Sequence, residues 1–442
     1  MARADSDLIM VCTCDVAGQV RGKAIPRSAV DARRETGIGW TPTNALITSF
    51  GPIAVSPWGA LGDLYIRPDF STQVDLELPD WGIDESFALG DIMTLEGEPW
   101  SCCPRGQLAA AVGHLEERHG LTIHASFEHE FHYFSAEAQP GLGYSLRAFR
   151  RLGAFPDRLM AVLEAAGLAL DTFMPEYGPG QCEVTIGPQP ALRAADEAVI
   201  LRELVRATAI GLGTRASFAP IIDPSGVGNG THVHFSLWDT AGRPVSHDPL
   251  APDGVSAKAG AFIAGTLKRL PEYLAITAPA VTSYLRLTPH RWSAAFNNFG
   301  RQDREAAVRI CPVFSGPDKT AEQTAERFNF EFRAADAAAS PYLALAALIN
   351  AGVSGLDEGL ATPPVTERDL ADATAEELSN IGCERLPTSL EEALARMTAS
   401  DWAKSAFGET LIDVIDRHKR CEIAEMDELT EEERCQRYAV AY

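Results

Sequence analysis

Residues Ser126 to Phe134 read SFEHEFHYF, and the fold turns on how this stretch is built. A run this rich in aromatic rings reads as a strand bound for the interior. Successive side chains of an extended chain point to opposite faces, so Glu128, Glu130 and His132 share one face and Phe127, His129, Phe131 and Tyr133 the other. Two carboxylates side by side repel each other. Their face is therefore either wet or holds a cation.

Working outward, GQLAAAVGHLEERHG (Gly106 to Gly120) has apolar residues at helical spacing and ends in a glycine just before this strand. Before it lie short β pieces broken by Gly and Pro. They begin with a strand at DLIMVCTC, a turn at Asp15 to Gly18 and a returning strand. The pattern places a small β-rich domain over residues 1–100 and a larger one over 101–442. Further strands are expected at GQCEVTIG, THVHFSLWD and RFNFEFRAAD, between helices such as Ala191 to Ile210 and Pro341 to Gly352. That alternation means a large α/β or α+β domain. The last eighty residues read as mostly helical, with capping boxes at Ser389 to Glu392 and Thr430 to Glu433, and ADATAEE (Ala371 to Glu377) reads as exposed helix.

The chain of 442 residues, 46% hydrophobic, can bury a sizeable core. Its 61 acidic and 38 basic residues leave a formal charge of −23, a poor match for a phosphate backbone, which argues against nucleic-acid binding as the main role. Nine scattered cysteines, with no CxxC pair, read as reduced, mostly buried thiols of a cytoplasmic protein. The start, MARADSDLIMVCTC, has acids where a secretory signal would be basic. The most apolar late segment, Tyr342 to Leu356, is too short to span a bilayer and is interrupted by Asn350, Gly352 and Gly355. A soluble protein with no membrane role is the expectation.

Three more strands repeat the opening pattern. In EYGPGQCEVTI, Glu176 precedes a Gly-Pro-Gly turn, and Glu183 and Thr185 face away from Cys182, Val184 and Ile186. In GNGTHVHFSLWD, His232, His234 and Ser236 line one face. In FNFEFRAAD, Asn329, Glu331 and Arg333 alternate with Phe328, Phe330 and Phe332. Each pattern alone fits a half-exposed sheet. Five glutamates among residues that want to be inside would be costly to group without positive charge, which divalent cations supply. Oxygen-dominated ligation favours Mg²⁺ or Mn²⁺ over zinc. Arg286, Arg291, Arg301, Arg304 and Arg309 fall within one segment, and guanidinium groups near carboxylate-bound Mg²⁺ suit phosphoryl transfer from ATP. GQVRGKA is one residue short of a Walker A loop and lacks its Ser/Thr, GVGNGTH precedes a strand instead of a helix, and HEFH lacks the HExxH spacing.

The order and wording of DVAGQVRGKAIP, DLYIRPD, FEHEFHYF, EYGPGQCEV, GNGTHVHFSLW, SYLRLTP…RQDREAAVRI and NFEFRAADAAASPYLALAALINAG resemble the glutamine synthetase family across nearly the whole chain. The resemblance implies an α+β fold: a small N-terminal β-grasp domain, then a large catalytic domain with an antiparallel sheet and surrounding helices. It also implies a homo-oligomer of stacked rings with active sites between subunits. Carried over by motif, Glu130, Glu176 and Glu183 would hold one metal and Glu128, His232 and Glu331 a second, giving two or three Mg²⁺ (or Mn²⁺) per site. His234 and Ser236 would lie along the nucleotide, and Arg304 and Arg309 at the transferring phosphate. Arg286 and Arg333 would bind the carboxylate region of the amino acid and the Gly228 backbone its amino end. The implied reaction phosphorylates the side-chain carboxylate of glutamate with ATP, and an amine then attacks the acyl phosphate.

Departures from the family's pattern point to the amine. Trp292 stands where ammonia-using members carry a flap glutamate, and an ungapped count from DLYIRPD puts Ser49 where they carry an aspartate. A neutral, aromatic-walled pocket suits the apolar part of an alkyl- or arylamine, unless Trp292 merely packs its loop and an acid such as Asp63 substitutes. Val227 replaces an asparagine near the amino group and Asn329 an arginine near the nucleotide, which leaves the identity of the acid open. No counterpart of the adenylylated tyrosine occurs around NIGCERLP. The leading expectation is an ATP-dependent ligase making γ-glutamyl amides from an organic amine. An ammonia-using glutamine synthetase and a non-catalytic structural relative are the alternatives.

Overall fold

The computed structural model describes residues 8–314, 316 and 319–442; residues 1–7, the acid-bearing start of the chain, lie outside these. Two sheets organise the chain. The first is formed by β1 (Leu8–Cys14), β2 (Val20–Pro26), β3 (Ile38–Trp40), β4 (Leu64–Pro68), β5 (Val74–Leu78) and β6 (Ile83–Thr94). Its order is β2-β1-β6-β4-β3, with β5 also on β6. Only the β1–β6 pair is parallel. The expected hairpin at its start is present, and a short helix at Val30–Thr36 is an element the sequence pattern did not suggest.

The second sheet holds β7 (Leu121–Tyr133), β8 (Leu170–Pro175), β9 (Gln181–Ile186), β10 (Gln189–Pro190), β11 (Ala216–Ser217), β12 (Thr231–Asp239), β13 (Phe299–Gly300), β14 (Val308–Ile310), β15 (Phe330–Phe332) and β16 (Val365–Thr366). The order is β16-β13-β14-β15-β12-β7-β9-β8, with β10 and β11 also pairing with β7. It is antiparallel except at the β16 edge, where β13 runs parallel to both β14 and β16. The stretch that opened the sequence reading is thus the centre of the larger sheet.

Alternation along these strands sorts the residues as their chemistry requires. Phe127, Phe131, Val184, Val233, Phe235, Phe330 and Phe332 are buried against the helices. Phe235, for example, meets Phe262 of the helix Ala257–Thr277 with ring centroids 5.7 Å apart. That helix crosses Pro341–Glu358 at Gly265 and Gly355, where a Cβ on either would lie within 2.7 Å of the other's backbone. Gly355, which interrupts the apolar segment, is there for backbone-to-backbone packing. His129 sits on this apolar face with neither ring nitrogen bonded, and burial pushes its pKa down to about 3, so the ring stays neutral in the core.

Buried arginines tie the two sheets together. Arg105 binds Asp196 at 2.9 Å, Asp91 at 3.1 Å and Asp69 at 2.7 Å, so its charge is fully paired. The fully buried Arg202 donates to the carbonyls of Gly18, Ala337 and Ala339 and holds the β1–β2 turn on the segment after β15.

The carboxy-terminal part is helical as expected, but two local readings change. Ser389 caps its helix through Glu392 N, whereas the Glu392 carboxylate accepts from Thr388 and Arg396, so only half of that box forms; the Thr430–Glu433 box is complete. In Ala371 to Glu377 the helix starts only at Ala375, because Thr374 forms a capping box with Glu377.

Candidate active site

The polar face of the second sheet carries the acids. Register sets each pair: Glu130 lies opposite Glu183, Glu128 opposite His232, and His234 and Arg309 on either side of Glu331. Five strands bring together residues that are up to 203 positions apart, from Glu128 to Glu331. The ligand atoms of Glu128, His232 and Glu331 all lie within 4.8 Å of one another. His232 Nδ1 is 2.6 Å from Glu128 Oε1 and 3.4 Å from Glu331 Oε1, and His234 Nε2 is 3.3 Å from Glu128 Oε2.

Glu331 is 1% exposed, which would be prohibitive for a bare carboxylate. Arg309 Nε donates to its Oε2 at 2.5 Å and Arg333 to its Oε1. Burial works to raise its pKa, but His232, Arg333, His234 and Arg309 overcome that and hold the pKa at about 2. Glu128 is likewise held down, its two histidine hydrogen bonds outweighing burial.

The other end of the cluster is short of positive charge. Burial, then the charges of Glu128, Glu130 and Glu176, push Glu183 up to about 10. Burial and Glu130 also raise Glu176. Glu130 Oε2 accepts from Gly230 N at 2.7 Å, and Glu176 Oε2 from Tyr144 Oη and Tyr177 N, both at 2.9 Å. Hydrogen bonds orient Glu130 and Glu176 without neutralising them, a charge deficit that a hard divalent cation would relieve, but among the described residues Glu130, Glu176 and Glu183 do not form a group with all ligand atoms within 4.8 Å.

Around the acids lie the remaining expected residues. Arg286 is 3% exposed, anchored by Ser293 Oγ at 2.9 Å and the Ala335 carbonyl at 2.5 Å. Its stem covers Gly228, where a Cβ would come within 2.4 Å of Arg286 Cγ and Cδ, and a Cβ on Gly230 would meet His232 Nε2 at 2.9 Å. The Gly-Asn-Gly sequence is thus demanded by close approach. Ser236 is nearly buried and its Oγ accepts from Trp238 Nε1 at 2.8 Å. Arg304 differs from the others. It is exposed on the loop between β13 and β14.

Trp292 is 68% exposed on a loop whose backbone is fixed. His290 and Trp292 both have left-handed backbones, at φ 62° and 56°, costly for side-chain-bearing residues. The Glu305 carboxylate accepts from both of their N–H groups, at 3.0 and 2.9 Å. Arg333 donates to the Trp292 carbonyl at 3.1 Å while also bonding Glu331, so this loop is two hydrogen bonds from the acids. Arg291 bonds the carbonyls of Pro224 and Gly226, next to Val227. Ser49 Oγ meets Tyr442 Oη at 2.9 Å, within the chain's own carboxy-terminal packing, and Asp63 is exposed.

Sequence reasoning missed Glu305, Tyr144 and Gln181. The side chain of Gln181 bonds the Gly228 carbonyl at 2.9 Å and Asn229 Oδ1 at 3.1 Å, linking two glycine turns. Its place inside EYGPGQCEV was the one available signal; Glu305 and Tyr144 act through loop geometry that no periodicity announces.

Comparison with known proteins identifies the family. Residues 101–438 match the glutamine synthetase catalytic domain and residues 2–100 the glutamine synthetase N-terminal domain. A gamma-glutamylpolyamine synthetase, GlnA3, of Streptomyces coelicolor is 33% identical over 92% of this chain and 87% of its own length. A glutamine synthetase of Thermococcus kodakarensis is 29% identical over 93% and 88%. A crystal structure described as a novel glutamine synthase homolog superimposes with a TM-score of 0.89 at 36% identity and full coverage of both chains. Ligand-free GmaS superimposes at 0.81 with 25% identity over 97% of this chain and 96% of that one. With both domain matches and the fold in agreement, the chain belongs to the glutamine synthetase family.

Proposed function

We propose that this protein is an ATP-dependent carboxylate–amine ligase that forms a γ-glutamyl amide from glutamate and an organic amine through a γ-glutamyl phosphate. Glu331 carries this reading: one buried carboxylate faces Glu128 and His232 on one side and is gripped by Arg309 and Arg333 on the other. That is the arrangement phosphoryl transfer uses, with cation ligands and guanidinium groups converging on one point.

In this reading Glu128, His232 and Glu331 hold one Mg²⁺ (or Mn²⁺), and Glu130, Glu176 and Glu183 another. Bound there, such ions neutralise the acids and polarise the transferring phosphate. His234 and Ser236 orient the nucleotide. Arg309, with Arg304 brought in from its exposed loop, takes the charge that develops on the phosphoryl group. Arg286 and Arg333 position the amino acid's carboxylate and the Gly228 carbonyl its amino end. The side-chain carboxylate of glutamate takes the terminal phosphoryl, the bond to ADP breaks, and the amine displaces phosphate from the acyl carbon. A closed site keeps water from that intermediate.

Trp292, with no acid at its position, selects the amine. An indole at the gate favours a carbon-bearing amine over ammonium, and a relative named as a polyamine ligase supports this choice. The catalytic unit is a ring-stacked homo-oligomer with sites between subunits. Among the described residues no helix is long and apolar enough to cross a membrane.

The test is phosphate release from glutamate and MgATP across alkylamines, arylamines, a polyamine and ammonium. A larger rate with an organic amine is expected; equal or greater release with ammonium would reassign the enzyme as a glutamine synthetase, and no release with any amine would point to a non-catalytic relative.

A further inference from the structure

A second group of ligand atoms sits beside the first and has a different chemistry. The side chains of His234, Cys311 and Glu331 offer atoms all within 4.8 Å of one another, and among the described residues this group alone contains a cysteine. Cys311 follows β14 directly, held by a hydrogen bond from its own N–H to the Asn329 carbonyl. Its Sγ is 3.5 Å from His234 Nδ1. A tetrahedral zinc, with bonds of about 2.3 Å to sulfur and about 2.0–2.1 Å to nitrogen, holds those two atoms roughly 3.5 Å apart. The spacing already fits a shared ion.

The surroundings fit as well. His234 Nε2 faces Glu128 Oε2 at 3.3 Å, the carboxylate-behind-histidine arrangement that orients a metal-binding imidazole through its other nitrogen. Asn329 Oδ1 lies 3.1 Å from Nδ1 and is a further oxygen donor at hand. Cys311 and Glu331 are buried and His234 partly so, so a bound ion would be sheltered from water. The oxygen-rich centre of Glu128, His232 and Glu331 suits a hard cation, whereas a thiolate with an imidazole selects a soft one.

We propose that His234, Cys311 and Glu331 form a second position, sharing Glu331 with the Glu128–His232–Glu331 centre, for a thiophilic divalent cation of the Zn²⁺ type, and that filling it blocks the nucleotide. Metal binding there needs Sγ as thiolate and Nδ1 free to donate its lone pair. The ion also takes a Glu331 oxygen from Arg309 or Arg333, both of which bond that carboxylate. The binding claim stands on geometry alone; only the inhibitory consequence rests on the proposed function, through the placement of His234 and Glu331 at the nucleotide and metal centre.

The probe is Co²⁺, added to the full-length protein in a large excess of Mg²⁺. A near-ultraviolet thiolate-to-cobalt charge-transfer band saturating at one equivalent per chain is expected, lost in Cys311→Ser, Cys311→Ala and His234→Asn and erased by equimolar Zn²⁺. No band, or a band that persists in both cysteine variants, would overturn the proposal. In phosphate-release assays Zn²⁺ should inhibit competitively with MgATP, and at least tenfold more weakly in Cys311→Ser, whose Mg²⁺-dependent turnover remains. Equal zinc sensitivity would assign inhibition to the Glu128–His232–Glu331 centre instead. If the chain proves unable to turn over ATP, the cobalt band still decides the binding claim.

Discussion

Replacing Glu305 with alanine removes the acceptor that holds two left-handed residues in place. The carboxylate takes N–H groups from His290 and Trp292 at 3.0 and 2.9 Å, and these bonds help offset the backbone cost of φ 62° and 56°, alongside the bonds of Arg333 to the Trp292 carbonyl and of His290 to Asp369. Hydrogen bonds to a charged group are worth about 1.5–3 kcal/mol each when sheltered, and half-exposure of Glu305 brings the pair to about 2 kcal/mol in all. Since ~1.4 kcal/mol is a factor of ten, the ratio of ordered to open loop falls roughly 30-fold. Trp292 is the residue this conformation presents, so the KM for the amine should rise about 10- to 30-fold while the KM for MgATP stays within about twofold. Glu305→Gln, which keeps one acceptor oxygen, should fall between the two. Phosphate release at varied amine and varied ATP measures both constants, and hydrogen exchange at the amides of residues 290 and 292 reports the loop directly. An alanine variant with unchanged amine KM and unchanged exchange would refute the reasoning.

Other consequences follow from the same geometry. Glu331→Gln leaves Arg309 and Arg333 facing a neutral amide in a buried site, which should cost about 3–5 kcal/mol of stability and at least 100-fold in kcat, read by denaturant titration and turnover. Trp292→Glu restores an acid at the gate and should raise turnover with ammonium relative to the organic amine; no gain would count against the indole as the selector. In metal-free protein Glu183, pushed up to about 10, keeps a proton that the unfolded chain releases in the ordinary carboxylate range. Stability should therefore fall as pH rises between those values, by about 1–2 kcal/mol from pH 6 to 8 because four acids share the charge. Saturating Mg²⁺ should remove that slope, and melting curves with the same slope in EDTA and in Mg²⁺ would contradict the shared-cation reading.

Much of this was visible in the residues, for a physical reason. Strand alternation forces Glu128 and Glu130 onto one face and Phe127 and Phe131 onto the other, so the polar face of β7 could be read without a partner strand. Which residue meets which could not. The pairing of Glu130 with Glu183 and of Glu128 with His232 depends on register between distant segments, and only the family's motif order supplied it in advance. His129 and His132 obey the same rule: alternation puts them on opposite faces, and one lies among core rings and the other beside Gln181. Glu305, Tyr144 and Gln181 serve backbone atoms of loops, and a loop's hydrogen bonds leave no periodic trace. Cys311 was one of nine thiols expected to be mostly small apolar fillers; its place beside His234 follows from the pairing of β15 with both β14 and β12.

In the proposed reaction the terminal phosphoryl of ATP passes through the side-chain carboxylate of glutamate. Glutamate labelled with ¹⁸O in that carboxylate, turned over with MgATP and the preferred amine, should deliver one labelled oxygen into each phosphate released. Phosphate free of label, at a rate matching ATP loss, would mean that water takes the phosphoryl group and that these acids and arginines serve a hydrolase instead.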